Sequence, residues 1–175
     1  LFEAFFRIAS QRGDAMLAVA GTRDAASRHL SHPRMIDLGA LPQTRVPTLL
    51  AALDVGVVCN RDTEFGRYCY PLKLHEMLAM EIPVVAASLG DVSQLLSAHP
   101  QCLYKPGDVA GLAMRLEQQL QSPHAPTLSV PDWDDSAAAL EVALRTCLLR
   151  GEGLSLARFY VSRGQGDSSQ APGLA

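Results

Sequence analysis

Hydrophobic and polar positions alternate between helical and strand patterns along most of the chain. Helical spacing of apolar residues predicts five helices, at 1–11, 46–53, 71–80, 91–98 and 108–120. Short apolar runs between them predict five strands, at 15–20, 35–38, 54–59, 83–86 and 101–104. Because parallel strands are joined by helical crossovers, this order predicts an α/β fold, a parallel sheet with helices on both faces.

The pattern changes toward the carboxyl terminus. A stretch rich in Pro and Ser, residues 122–131, leads to a last amphipathic helix over 133–150, with Leu140, Leu144 and Leu148 on one stripe. From Gly151 onward Gly, Ser and Gln dominate without apolar periodicity. We therefore expect one domain over 1–150 and a disordered or non-native tail over 151–175.

Composition excludes several classes of protein. With 175 residues, 48% hydrophobic and 19% charged, the chain fits one globular domain. A net charge of -3 and a pI near 5.9 argue against a nucleic-acid partner. The sequence has no apolar run long enough to span a membrane, and its four cysteines lack metal-ligand spacing. Reduced thiols lead us to expect a cytoplasmic protein without a metal.

The segment from Glu64 to Val85, EFGRYCYPLKLHEMLAMEIPVV, carries the most chemistry. We expect a loop over 60–70 and a helix that begins at Pro71, which suits a first helical turn. Lys73 and Glu76 then lie three residues apart on one face near the helix N-terminus, where the helix dipole favours an anion such as a diphosphate.

Two interpretations of this spacing remain open. Lys73 adds positive charge for phosphates, and Glu76 accepts hydrogen bonds from two adjacent hydroxyls, as an acid does with a ribose. Alternatively, the two side chains form an ordinary exposed ion pair on a surface helix.

The order of motifs resembles the C-terminal domain of retaining GT-B glycosyltransferases of the group 1 family. The matching pieces cover residues 1–149 and read, in order, VAGT, IDLGALP, LLAALDVGVV, EFG, PLKLHEMLA, PVVAASLG and LYKPGD. The resemblance implies a Rossmann-like domain that forms one half of a GT-B fold. It also implies transfer of a hexosyl-type group from a nucleoside diphosphate to an acceptor hydroxyl, with retention.

The resemblance also implies roles for individual residues. Glu76 holds the ribose hydroxyls, Lys73 contacts phosphate, and the turn at Gly39, Ala40 and Leu41 recognises the nucleobase. The backbone N–H groups of Phe65, Gly66 and Arg67 face the donor phosphates or sugar. Two roles remain open for Tyr68: its side chain lines the sugar pocket, or it seals the loop against the core.

Two positions depart from the family pattern. Tyr68 stands eight residues before Glu76, close to where the family places a second glutamate, whereas Glu64 lies twelve residues before it. Glu64 is therefore the candidate catalytic residue only if the loop is remodelled. Glu81 replaces the glycine usual after the helix, which predicts a less tight turn.

The family's phosphate-neutralising arginine and lysine lie upstream of Leu1. We therefore expect that the first βα unit and an N-terminal acceptor-binding domain are missing, and that this fragment alone is inactive. The expected partners are a nucleotide-sugar donor, that N-terminal domain and, through it, a peripheral membrane surface. The resemblance implies no cofactor beyond the donor and a metal-independent reaction.

Other functions fit the same architecture. A non-catalytic fragment or interaction domain of a GT-B protein would need no donor. A nucleotide-sugar epimerase shares the architecture, but it would need a histidine or acid placed for deprotonation of the sugar.

Overall fold

A computed structural model describes residues 1–150, with side chains up to residue 148, so the predicted tail over 151–175 lies outside the described residues. The helices are α1 (Phe2–Gln11), α2 (Val46–Ala51), α3 (Glu64–Tyr68), α4 (Leu72–Ala79), α5 (Gly90–Leu95), α6 (Val109–Gln121) and α7 (Trp133–Arg150). The strands are β1 (Leu17–Val19), β2 (Met35–Asp37), β3 (Gly56–Val58), β4 (Val84–Ala87) and β5 (Leu103–Tyr104). Short 3-10 turns at Gln43–Arg45 and Pro100–Cys102 precede α2 and β5.

All strand pairs are parallel, as predicted, but the strands form two separate ladders. β1 pairs with β2, while β4 lies between β3 and β5. Within the described part of the chain, β1 and β3 each have a paired neighbour on one side only. The predicted α/β fold is therefore confirmed, whereas the single five-stranded sheet is replaced by a two-stranded and a three-stranded one.

The central strand β4 separates two hydrophobic clusters. Its four residues are at most 1% exposed. Since alternate side chains of a strand point to opposite faces, both faces of β4 must be covered. Val84 and Ala86 pack in a cluster with apolar residues of α2, α4 and α5. Val85 and Ala87 pack in a second cluster with residues of α1 and α6. Helices therefore cover both faces of this sheet, which confirms the predicted layering.

The end of α1 is tied to the body by charged side chains. The guanidinium of Arg34, just before β2, donates to the carbonyl oxygens of Ala9 and Arg12. A cation at a helix C-terminus satisfies free carbonyls and complements the dipole. Arg12 also lies 3.8 Å from Glu117 on α6. These contacts place the C-terminus of α1 beside the start of β2.

Glu81 ends α4 in a conformation that favours glycine. Its φ is 55°, in the left-handed region. The N–H of Ile82 donates to Met77 at 3.0 Å and the N–H of Glu81 to Leu78 at 3.0 Å, the bonding pattern of a Schellman motif. The predicted looser turn is wrong, because the glutamate adopts the tight geometry despite its Cβ.

Helix α7 belongs to a second unit that begins at Pro131. Its predicted bounds are confirmed, and Leu140 and Leu144 on the predicted apolar stripe are 60% and 49% exposed. No helix among the described residues has both the length and the hydropathy that a membrane span requires.

Candidate functional site

The predicted site residues lie on segments that leave the carboxyl ends of strands. The turn Gly39–Leu41 follows β2, and α3 follows β3. Lys73 and Glu76 are the second and fifth of the eight residues of α4, which starts at the same edge because it connects the parallel strands β3 and β4. Ligands of parallel α/β folds bind at this edge.

The predicted loop over 60–70 is wrong in its second half, which is the helix α3. Thr63 is its N-cap residue, and its hydroxyl oxygen accepts a hydrogen bond from the N–H of Gly66 at 3.2 Å. A Cβ on Gly66 would lie far inside contact distance of the Arg61 carbonyl oxygen. Glycine thus allows the helix to fold tightly over the chain that leads into it.

Several backbone amides that were expected to face a ligand already donate within the protein. The N–H groups of Gly66 and Arg67 both donate to Thr63, to its hydroxyl and its carbonyl oxygen respectively. At the start of α4, the N–H of Leu74 donates to the Pro71 carbonyl at 2.9 Å. Pro71 itself is the N-cap residue rather than the first helical residue. In this conformation, these three amides are not available to a ligand.

Two large aromatic side chains of α3 face solvent. Phe65 is 77% and Tyr68 84% exposed, and they lie three residues apart on one face of the helix. Tyr68 therefore does not seal the segment against the core. Tyr70 is 54% exposed, and its ring stacks on the imidazole of His75 with centroids 4.9 Å apart.

Three charged side chains at this edge are exposed and free of protein partners. Within the described residues, Glu64, Lys73 and Glu76 form no ion pair and no side-chain hydrogen bond. The alternative interpretation, an ion pair between Lys73 and Glu76, is therefore not realised in the structure. Both side chains can meet a ligand without first breaking an internal contact.

The turn at Gly39 joins the loops that follow β1 and β2. Its carbonyl oxygen accepts the N–H of Gly21 at 2.7 Å, and its own N–H donates to Asp37 at 3.1 Å. A φ of 59° explains the need for glycine there. Ala40 is exposed and Leu41 half-buried, so both offer apolar surface beside the turn.

Arginines at this edge are paired with aspartates of neighbouring loops. Arg23 lies over the ring of Phe2 and 3.1 Å from Asp37, which connects α1 with the ends of β1 and β2. The amide of Gly39, followed by Arg23, lowers the pKa of Asp37. Arg23 was not among the predicted site residues, and its partner is fourteen positions away along the chain.

Two further arginine pairs hold the segment that leads into α3. Arg61 lies 3.4 Å from Asp24, so it bridges the loops after β1 and β3. The guanidinium of Arg67 donates to Asp62 at 2.7 Å, which lowers the pKa of that carboxyl group. Arg67, expected to contribute its backbone amide, thus has both amide and side chain engaged.

Hollows of ≈ 250 Å³ and ≈ 390 Å³ lie away from this edge, one beside the C-terminus of α4 and one beside His124. Among residues 1–148, His, Cys, Asp and Glu side chains do not gather in threes that would hold a metal. The carboxyl edge is thus an open surface of exposed charged and aromatic side chains on rigidly packed turns.

The family model described as Glycosyl transferases group 1 matches residues 1–122, from the first helix to the end of α6. No curated protein matches the chain. The matched range spans both ladders and every predicted site residue, and it is well over half of the 175 residues. The chain therefore belongs to the group 1 family of glycosyl transferases.

Proposed function

We propose that this domain binds a nucleoside-diphosphate sugar and is the C-terminal, donor-binding half of a retaining GT-B glycosyltransferase. Family membership supports glycosyl transfer in general. The donor, the hexosyl-type group and the retention of configuration belong to the proposal, as does a cytoplasmic location.

The observation that supports it most is Glu76. Its carboxylate is exposed, has no protein partner among the described residues, and lies on the fifth residue of a helix that starts at the carboxyl edge of a parallel sheet. A carboxylate has two oxygens and accepts hydrogen bonds from two adjacent hydroxyls at once, which matches a ribose diol. Lys73, one turn earlier, supplies a cation for the phosphates.

The other residues complete the donor site. The base stacks on apolar surface at Ala40 and Leu41, beside the turn fixed by Gly39. The diphosphate and sugar lie along α3, with Phe65 and Tyr68 offering aromatic faces to the sugar ring. Glu64, at the exposed start of α3, is the acid placed to meet the sugar hydroxyls.

In the complete enzyme, the oxygen of an acceptor hydroxyl forms a bond to the anomeric carbon of the sugar. The bond between that carbon and the terminal phosphate oxygen breaks, and the hydroxyl proton passes to the departing phosphate. Attack on the face that the phosphate leaves retains the configuration. In the proposal, the acceptor binds to a domain outside this chain, and any membrane contact belongs to that domain. The fragment alone therefore binds the donor weakly and does not catalyse transfer.

The two ladders support the expectation that a strand is missing from this sheet. Within residues 1–150, β1 and β3 each have one unpaired edge, and the ion pair of Arg61 with Asp24 links the loops at their carboxyl ends. Helix α1 begins at Phe2, against Arg23 in the loop after β1, and ends near the start of β2, so it runs antiparallel to the strands, as a crossover helix does. A strand before α1 would run parallel to both free edges.

Calorimetric titration of the 175-residue chain with UDP-, GDP- and ADP-sugars tests the proposal. We expect binding of one nucleotide class and a loss of about tenfold or more in Glu76→Ala, the size of a lost charge-assisted hydrogen bond. Glu81→Gln is the matched control, because it removes an exposed charge from the other end of the same helix and keeps its backbone geometry.

If no nucleotide-sugar binds, and Glu76→Ala behaves as the wild type, the donor-binding proposal is wrong. The non-catalytic interaction domain then becomes the better account of the chain. Epimerisation of the bound sugar without an acceptor would instead favour the epimerase.

A further inference from the structure

The segment between α6 and α7 is held by a network of hydrogen bonds around a buried amide. Gln119, on the last turns of α6, is only 2% exposed. Its side-chain oxygen accepts the backbone N–H of His124 at 2.8 Å, and its side-chain nitrogen donates to the His124 carbonyl at 3.3 Å. The same nitrogen donates to the carbonyl of Val84 at 3.2 Å. One amide thus fixes the backbone of His124 against the start of β4.

A second contact holds the side chain of the same residue. Nε2 of His124 lies 3.1 Å from Nδ1 of His99, and the two rings are 5.2 Å apart. His99 is itself fixed, because its N–H donates to Leu96 at 2.8 Å and its carbonyl accepts the N–H of Cys102 at 2.9 Å. The imidazole pair therefore joins the segment after α6 to the turn before β5.

The rest of the segment depends on this attachment. Pro126 is fully buried, and Leu128 and Val130 pack against the cluster that contains α4. We call residues 122–130 the linker segment, since α7 begins three residues later. Its position is set at one end by His124 and along its length by these apolar contacts.

The hydrogen bond between the two imidazoles requires that one ring nitrogen carries a proton and the other does not. Once both rings are protonated, two N–H groups and two positive charges face each other at this distance. The hollow beside His124 is lined by one cation, Arg115 of α6, and the turn before β5 contributes the thiol of Cys102, which contacts Gln119. Among the described residues, no carboxylate lines that hollow, and Glu81 lies at the far end of the linker segment.

We propose that His99 and His124 form a proton-sensitive latch that holds the linker segment on the body of the domain. The latch is closed when at most one imidazole is protonated and opens when both are. It is independent of donor binding. It gives the domain control over the segment from which α7 leaves, in the pH range over which histidine changes charge.

Amide hydrogen exchange of the 175-residue chain reports on the latch, because the His124 N–H donates to Gln119 in the segment that the imidazole pair holds in place. Between pH 8 and pH 5, we expect the protection factor of this amide to fall about tenfold or more, the size of a lost buried hydrogen bond. Amides of β4 should keep their protection. A fall that β4 shares equally would reflect global unfolding and would overturn the proposal, as would constant protection of His124.

Variants separate the imidazole pair from other titrating groups. His99→Asn with His124→Gln keeps a donor and an acceptor at the two ring positions but cannot titrate, so protection should become independent of pH. His29→Gln, an exposed histidine outside the network, should leave the wild-type response unchanged. An unchanged response in the double variant would overturn the latch, and the wild-type measurement decides the matter even if that variant does not fold.

Discussion

The α-carbon of Gly90 lies against the carbonyl oxygen of Arg67, so closely that a side chain at Gly90 would overlap that oxygen. Gly90 is the first residue of α5 and has a φ of 47°. This contact seats α3, which carries the exposed side chains of Phe65 and Tyr68, on the start of α5. The candidate donor surface therefore depends on a glycine outside it.

Gly90→Ala should destabilise the domain by about 2–4 kcal/mol, because the methyl group meets a backbone atom and the left-handed backbone disfavours alanine. Urea unfolding measures the change. Gly13→Ala is the control, because nothing lies within 4 Å of an added Cβ there. Equal stability of the two variants would contradict the close contact.

Glu81→Gly should raise the free energy of unfolding by about 1 kcal/mol, since glycine adopts the left-handed end of α4 without strain. Glu81→Ala keeps the strain and should give no comparable gain. A gain of the same size from alanine would mean that the charge of Glu81, rather than its backbone, is unfavourable.

Thr63→Ala should cost about 1 kcal/mol, because it removes the hydroxyl that caps α3. The expected effect is local, and it appears as faster amide exchange at Gly66, whose N–H donates to that hydroxyl. Thr63→Ser keeps the hydroxyl and should restore protection. Failure of serine to do so would show that the cap does not hold the helix.

The fold was largely predictable from the sequence, because burial leaves a strong pattern in it. The β-branched and alanine run at β4 is apolar throughout, which indicates a strand covered on both faces, and the structure buries all four residues. Helix spacing likewise placed α1, α6 and α7 within one or two residues of their ends.

Helix α3 was not predictable in the same way. Its central residue is Gly66, which lowers helix propensity, and the segment has only five residues. The helix forms because Thr63 caps it and because the glycine permits close approach to Arg61. Both reasons depend on tertiary geometry, as do the arginine–aspartate pairs between loops.

Stability should fall below about pH 4, because Asp37 has a lowered pKa in the folded state. The amide of Gly39 and the guanidinium of Arg23 favour its ionised form. The stabilisation is therefore complete above the unfolded pKa and is lost as pH falls through the folded one.

Unfolding measured as a function of pH checks this, with Asp37→Asn expected to flatten the acid limb. The effect should be small, because the carboxylate is 42% exposed and therefore screened by water. An acid limb that is unchanged in Asp37→Asn would rule out this role for Asp37.

The central claim is that donor binds at the carboxyl edge, and amide chemical-shift mapping tests it most directly. Titration with the nucleotide-sugar that binds best should shift the amide signals of the Gly39–Leu41 turn and of α3 and α4 through Glu76. Amides beside the hollow at His124 should stay unchanged. Shifts confined to that hollow, or no shifts with any nucleotide-sugar, would contradict the account.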